Sequence, residues 1–356
     1  MEYIRKYENN NIHKIFLVVT KQCNLSCSFC VRECDSTQEL NIDTKKILSY
    51  LDEISILYPN TKIIITGGEA LLHPYIDKIL SKSISLFKNK VILCSNGINI
   101  TTFEKNIFLL RQCTLQISID GNEYYHDKLR GKGTYKKTQS TLQYLLDQNI
   151  KTIVASTISV DNVNSIKEML TDMISIGVIN FKLSQEMPSG FAKIRKDKHL
   201  AFEEWNMFCD DIYQFIASFS DSNIHLSMRK SFPFIGKKLN MNNVSDKMLC
   251  LAGCKAGITQ LYIYPNLMVY GCPMLIKHPI ANLRGCNLKD IERTSNSSKL
   301  YEYKLNDSSI CSSCKYLTIC RGGCPGRSVD MYDMWSGDFL CPKIRGKMNN
   351  DENIDI

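Results

Sequence analysis

Val19-Thr20-Lys21-Gln22-Cys23-Asn24-Leu25-Ser26-Cys27-Ser28-Phe29-Cys30 is the stretch that decides the fold, and it overlaps the end of the apolar run Lys14-Ile15-Phe16-Leu17-Val18-Val19-Thr20. A short run rich in β-branched and aromatic residues predicts a buried strand over 14–20, which places the cysteines in the loop at its tip. Their spacing is C-x3-C-x2-C. Thiolates are the usual protein ligands of iron–sulfur clusters, and a [4Fe–4S] cubane normally takes four. Three, with no fourth at matching distance, leave one iron open to a ligand from outside, and Phe29 is placed to shield the cluster. The competing reading is a partial zinc site or three buried thiols. A structural zinc, however, takes four closed ligands, and the nearest spare, Cys34, fits no common knuckle spacing.

The chain has 356 residues, 44% of them hydrophobic and 22% charged, enough for one large α/β domain plus a smaller module. No apolar run approaches the ~18 residues of a membrane span. The start, Met1 to Asn9, has no signal-peptide core, so a cytoplasmic protein is expected. Sixteen cysteines in a reducing compartment read as metal ligands or redox groups before disulfides, and they crowd between Cys250 and Cys341. The net charge is +8, but Lys and Arg are scattered, without the basic–aromatic interleaving of a nucleic-acid binder. A solvated basic surface is expected, with attraction to an acidic partner as a secondary benefit.

Behind the cysteines the chain alternates. Asn41 to Thr44 opens an amphipathic helix from Lys45 to Leu57, with Ile47, Leu48, Leu51, Ile54 and Leu57 at helical spacing. Strands are predicted at 62–66, 91–95, 114–119, 151–158 and 179–184, and helices at 75–87, 101–110, 135–148 and 163–176. Strand–helix units with near-continuous apolar strands make a parallel sheet covered by helices. In barrels of this kind the active site lies at the C-terminal ends of the strands, where the motifs fall. They are Thr66-Gly67-Gly68-Glu69-Ala70-Leu71-Leu72-His73-Pro74 after the second strand, Ser95-Asn96-Gly97 after the third, and Ser118-Ile119-Asp120-Gly121 after the fourth. The last is followed by His126-Asp127 and Arg130-Gly131-Lys132-Gly133-Thr134-Tyr135.

The cysteine spacing, its Phe-Cys ending and these motifs resemble the radical S-adenosylmethionine (SAM) enzymes. The resemblance implies a partial (β/α)6 TIM-like barrel. It further implies a cluster on Cys23, Cys27 and Cys30 whose open iron is chelated by SAM, which an electron then splits to methionine and a 5′-deoxyadenosyl radical. Gly67, Gly68 and Glu69 match the motif that binds the SAM amino group, with Ala70 in place of the usual Pro. Ser95 and Asn96 match a second SAM motif, the alternative being an Asn-Gly turn. Ser118 and Arg130 would touch the ribose and carboxylate. His126 and Asp127 are expected to hold the loop, and Asn162 and Asn164 either to lie near the adenine or to cap the next helix.

Glu186 to Gly190 breaks the pattern, Arg195 to Lys198 reads as an exposed loop, and Phe202, Trp205, Phe208, Cys209, Ile212, Phe215 and Ile216 mark one face of a bridging helix over 201–219. The expected division is an extension at 1–13, barrel at 14–200, linker at 201–245, cysteine-rich domain at 246–345 and tail at 346–356. The run Cys311-x2-Cys314-x5-Cys320-x3-Cys324, with Cys341 beyond it, resembles the SPASM domain of peptide- and protein-modifying radical SAM enzymes. That resemblance implies two fully coordinated auxiliary [4Fe–4S] clusters, one on Cys250, Cys254, Cys272 and Cys324, the other on Cys311, Cys314, Cys320 and Cys341. Leu267 stands where the family's hairpin usually has Gly. Paired zinc ribbons are the alternative. Cys34, Cys94, Cys113, Cys209 and Cys286 stay unassigned, with Cys113 and Cys209 expected as buried small hydrophobes.

Barrel plus SPASM domain implies three clusters, SAM, an acidic flavodoxin or ferredoxin as electron donor, and a ribosomally made peptide as substrate. Two alternatives remain. An anaerobic sulfatase-maturating enzyme carries an acidic base after the cysteine equivalent to Cys272, where Pro273 stands here. A non-enzymatic iron–sulfur electron carrier or zinc scaffold would not need Gly67-Gly68-Glu69. With the first strand at residue 14, no N-terminal winged-helix domain is expected, so a leader would be gripped by a separate protein or by the barrel–tail groove, or would not be needed.

Overall fold

Strand β1 (Lys14–Val18) pairs in parallel with β2 (Lys62–Thr66), Lys14 opposite Lys62 and Val18 opposite Thr66. From there β3 (Val91–Ser95), β4 (Thr114–Ser118), β5 (Thr152–Ile158) and β6 (Asn180–Gln185) follow in chain order, each parallel to the one before. The computed structural model describes residues 12–37, 40–195, 198–219, 223–232, 254, 256–285, 287–288, 305, 309–329 and 335–344; Cys250 and Cys286 lie outside them.

These six strands stand where the apolar runs predict, and the sheet continues past both ends. Beyond β6 comes the parallel strand β7 (His225–Ser227). On the free side of β1, β8 (Gln260–Ile263) pairs in parallel, followed by the antiparallel β9 (Met268–Tyr270) and β10 (Ala281–Asn282). The order is β10-β9-β8-β1-β2-β3-β4-β5-β6-β7. The segment read as a linker thus contributes β7, and the cysteine-rich segment β8 to β10, to the same sheet. Three-residue and two-residue strands are too short to show a period of two. In the β8–β9 hairpin Leu267 has φ +63° and is buried. Its backbone takes the left-handed form that favours glycine, and its side chain joins the core.

Helix α1 (Thr44–Leu57) starts where Asp43 accepts a hydrogen bond from the Lys46 N–H, and buries Ile47, Leu51 and Ile54. Helix α2 (Ile76–Phe87) packs beside it. The helix expected at 101–110 is mostly 3-10 turn, Ile100–Asn106, with only α3 (Ile107–Leu110) regular; the Thr101-Thr102 pair is β-branched and a poor helix former. Helix α4 (Glu123–Arg130) falls where a loop is expected. It buries only His126 and Leu129, too few for an apolar stripe, and its start is the Asn122 side chain accepting from the Tyr125 N–H. Helices α5 (Thr134–Asp147), α6 (Ile166–Ser175) and α7 (Phe202–Ala217) match their predicted spans within a few residues at each end. Two short helices, α8 (Leu317–Cys320) and α9 (Pro325–Ser328), lie among the late cysteines. That segment docks on α1: the Tyr50 hydroxyl donates to the Leu283 carbonyl at 2.5 Å, and Glu53 accepts from the Leu288 N–H at 2.9 Å.

Candidate active site

The cysteine loop leaves β1 and is held by its own backbone. The Cys23 N–H donates to the Asp35 carbonyl at 2.8 Å, and the Ser28 N–H to the Leu129 carbonyl at 3.3 Å. Cys23, Cys27 and Cys30, all free thiols, line a cavity of about 720 Å³ at the strand tips, within the range of small-molecule sites. Gly67, Gly68, Ser95, Asn96, Ser118 and Arg130 line the same cavity. Burial pushes the Cys23 thiol up to about 12 and raises Cys27 as well, the nearby Arg130 opposing it. A hydrogen bond between Cys30 and Cys34 lowers the first and raises the second. Among the described residues no three His, Cys, Asp or Glu side chains converge closely enough for a single metal ion. A cubane differs, since each iron takes one thiolate and the ligands stay apart. An all-thiol set opening on a cavity of this size fits a cluster with a chelating ligand.

The glycines of the second motif act on the protein itself. A Cβ on Gly67 would meet the Thr20 carbonyl oxygen at 2.7 Å, and one on Gly68 the Gln22 carbonyl oxygen at 2.4 Å. They let the β2 tip lie against the cysteine loop, where the Gly68 and Glu69 N–H groups donate to the Thr20 and Gln22 carbonyls at 2.8 and 2.9 Å. Gly68→Ala should therefore displace that loop, lowering thermal stability by about 1–3 kcal/mol and reducing the iron bound after reconstitution. An iron content and melting temperature equal to wild type would contradict this packing. Glu69 is 1% exposed and does not line the cavity. Its carboxylate accepts from the Leu71 and Asn96 N–H groups at 3.2 and 2.7 Å, so it ties the second motif to the third. Burial raises its pKa against those bonds. Asn96 also donates from its side chain to Asn24 at 2.8 Å.

Asp120, fully buried, accepts from Arg130 Nε at 2.5 Å and from the Thr157 N–H at 2.6 Å. Arg130 lies 4.0 Å from the Cys27 sulfur and over the Phe29 ring. Burial opposes its charge, but Asp120 prevails and its pKa is raised. His126 and Asp127 hold the chain, as expected. His126 accepts from the Asp120 N–H, and Asp127 accepts from the Gly133 and Tyr135 N–H groups. Burial keeps His126 down at about 4, hence neutral. Asn162 does not cap a helix: it is buried and bridges Asp120, Thr157 and Ser159. Asn164 is exposed.

The segment read as an exposed loop also belongs to the site. Gly190, at φ +61°, packs on the Cys30 carbonyl, to which the Phe191 N–H donates at 3.0 Å. Arg195 is largely buried and donates to Ser28 Oγ and Asp161 Oδ2, each at 2.6 Å. Its sequence neighbours Lys196, Asp197 and Lys198 are polar, which disguised it. Glu186 lines the cavity, and burial raises its pKa to about 7 against the pull of Arg195. Cys94 lines it too, whereas Cys113 and Cys209 are buried, as expected.

In the late cysteine segment Cys311, Cys314, Cys320 and Cys341 line one small cavity with Phe232 and Tyr316. Cys272 and Cys324 form a separate neighbourhood with Cys254: burial raises the Cys272 thiol, with Cys324 and Cys254 adding to it, and burial raises the Cys324 thiol, with Cys254 adding to it. Asp338 sits between the two groups. It accepts from the Cys324 N–H at 2.9 Å and from Arg327 at 2.6 Å, and Arg327 in turn donates to Gln185 at the end of β6 at 3.4 Å. Neither Asp338 nor Arg327 carries a sequence signal, since each is a single charge among turns.

Three relatives set this geometry in context. The sporulation killing factor maturation protein SkfB of Bacillus subtilis is 32% identical over 178 residues, 49% of this chain and 43% of SkfB; the chain thus matches less than half of that relative. The AdoMet-dependent heme synthase of Nitratidesulfovibrio vulgaris is 24% identical over 341 residues, 90% of this chain and 88% of the synthase. Streptococcus suis SuiB, solved bound to the precursor peptide SuiA, superposes with a TM-score of 0.75 at 18% identity, covering 92% of this chain and 75% of SuiB. It shares the fold. Residues 17–173, from β1 into α6, match the radical SAM superfamily, and with three free thiols at the rim of the strand-tip cavity, the chain carries a radical SAM domain.

Proposed function

We propose that this chain is a radical SAM enzyme that modifies a ribosomally made peptide. The observation that carries the proposal is the cavity of about 720 Å³ with Cys23, Cys27 and Cys30 at its rim, in a chain similar to the maturation protein SkfB. Those cysteines hold a [4Fe–4S] cluster which, when bound, supplies an electron that splits SAM to methionine and a 5′-deoxyadenosyl radical. Ser95, Asn96, Ser118 and Arg130 hold SAM, while Gly67, Gly68 and Glu69 fix the wall against which it lies. Arg130 is kept charged and aimed by Asp120. Cys254, Cys272 and Cys324, with Cys250 outside the described residues, hold one auxiliary cluster; Cys311, Cys314, Cys320 and Cys341 hold the other. The donor is an acidic flavodoxin or ferredoxin. No described helix is long and apolar enough to cross a membrane.

The sulfatase-maturating alternative is disfavoured because Pro273, which lines the cavity, supplies no base after Cys272. The match to the heme synthase over nearly its full length favours a second reading, radical chemistry on a tetrapyrrole. Peptides encoded beside the gene, incubated with reduced enzyme and SAM, should change mass. Cys320→Ala should still form 5′-deoxyadenosine but leave the peptide unmodified, with poorer solubility, because metal ligands contribute to folding. Full modification by a Cys320→Ala enzyme lacking that cluster would show it to be dispensable. A tetrapyrrole changed in mass, with every peptide unchanged, would replace the first reading by the second.

A further inference from the structure

The far end of the same cavity is lined by lysines. Lys14, Lys62 and Lys182 enter it from the β1, β2 and β6 strands, close to their N-terminal ends. A closed barrel normally fills its interior with bulky branched side chains; here Phe16, Ile64 and Ile92 are followed at this depth by cations. Lys14 and Lys62 are directly opposite in register, an arrangement in which like charges repel. Lys182 and Arg229 add to the field at Lys14, where burial together with these neighbours lowers the pKa. None of the three lysines has a carboxylate within 4.0 Å among the described residues; Lys182 reaches only the Gln116 amide oxygen, at 3.4 Å. Arg32 lines the cavity nearer the cysteines, with its Nε buried and without a hydrogen-bond partner. Lys14, Lys62 and Lys182 thus face the cavity without a carboxylate beside them; among its lining residues the carboxylate is Glu186, which lies just past the end of β6 and beside Arg195.

We propose that this lysine floor binds a carboxylate of the substrate, so that the enzyme takes an acidic peptide threaded along the barrel axis. The inference rests on the peptide-modifying reading above and adds a ruler to it. From Lys62 to Thr66 is four strand steps, about 13 Å at ~3.3 Å per residue. An extended peptide covers that distance in about four residues, so the acidic residue or terminal carboxylate lies about four residues from the one that is modified.

The test uses the reconstituted holoenzyme with SAM and two fluorescein-labelled peptides, a tetraglutamate amide and its tetraglutamine counterpart, read by fluorescence anisotropy. The tetraglutamate should bind at least ten times tighter than the tetraglutamine. Lys14→Gln/Lys62→Gln/Lys182→Gln should erase most of that preference while melting no lower than wild type, since no ion pair is lost. Lys14, Lys62 and Lys182 are themselves exposed, so the control makes an equal charge change on exposed lysines outside the cavity, Lys45→Gln/Lys46→Gln/Lys137→Gln, and should retain it. Equal loss in the control, an undiminished preference in the floor variant, or displacement by inorganic phosphate without any preference for the acidic peptide would each overturn the proposal. Formation of 5′-deoxyadenosine by the same preparation separates the two claims. Cleavage without peptide preference overturns the floor alone, whereas preference without cleavage overturns the reading on which the floor rests, and the proposal with it.

Discussion

Asp120→Ala should destabilise the protein by about 3–5 kcal/mol, the cost of leaving one member of a buried ion pair without its partner. Asp120 is 0% exposed and the Arg130 side chain 11%, so solvent offers the guanidinium little compensation. The Thr157 N–H would lose its acceptor as well, and a buried donor left unpaired costs a further ~1–3 kcal/mol. Asp120→Asn keeps the shape and one acceptor and should cost less. Chemical denaturation of the three proteins measures this, and a loss under about 1 kcal/mol in Asp120→Ala would contradict the buried pair. The effect reaches function through Arg130, which lies beside Cys27, so the variant should also bind SAM more weakly at equal iron content.

Replacing Cys23, Cys27 and Cys30 together by Ala should remove about four of about twelve irons from anaerobically reconstituted protein, one cubane of three. It should reduce 5′-deoxyadenosine to the level of the reagents without enzyme. The late cysteines stand in their own two neighbourhoods, which is why their iron should survive. Loss of all iron in the triple variant, or zinc in anaerobically prepared native protein, would contradict separate sites.

Much of this was legible in the sequence where spacing does the chemistry. Cys23, Cys27 and Cys30 are close in the chain, so their convergence at one loop needs no tertiary knowledge, and the run from Cys311 to Cys324 reads in the same way. Strands β1 to β6 showed themselves by apolar residues buried at successive or alternate positions, one face packing under the helices and the other lining the cavity. What stayed hidden depends on contacts between distant segments. Helix α4 was masked by its polar surface, and Arg195 by charged neighbours that hide its bonds to Ser28 and Asp161. The packing role of Gly67 and Gly68 was hidden for the same reason: the sequence shows two small residues, and only the fold shows that the Thr20 and Gln22 carbonyls occupy the space a Cβ would need. The bonds that the Glu69 oxygens accept from two backbone N–H groups were likewise hidden. The lysine floor joins residues from β1, β2 and β6 that look, one by one, like ordinary strand ends.

The central claim is that the cavity rimmed by Cys23, Cys27 and Cys30 holds a SAM-cleaving centre. It is tested most directly by incubating the reconstituted, dithionite-reduced protein with SAM under anaerobic conditions and quantifying 5′-deoxyadenosine and methionine. Equal amounts of the two products, absent without reductant and absent in the Cys23→Ala/Cys27→Ala/Cys30→Ala protein, are the predicted result. Failure of the fully iron-loaded wild-type protein to release 5′-deoxyadenosine, or its undiminished release by the triple variant, would contradict it.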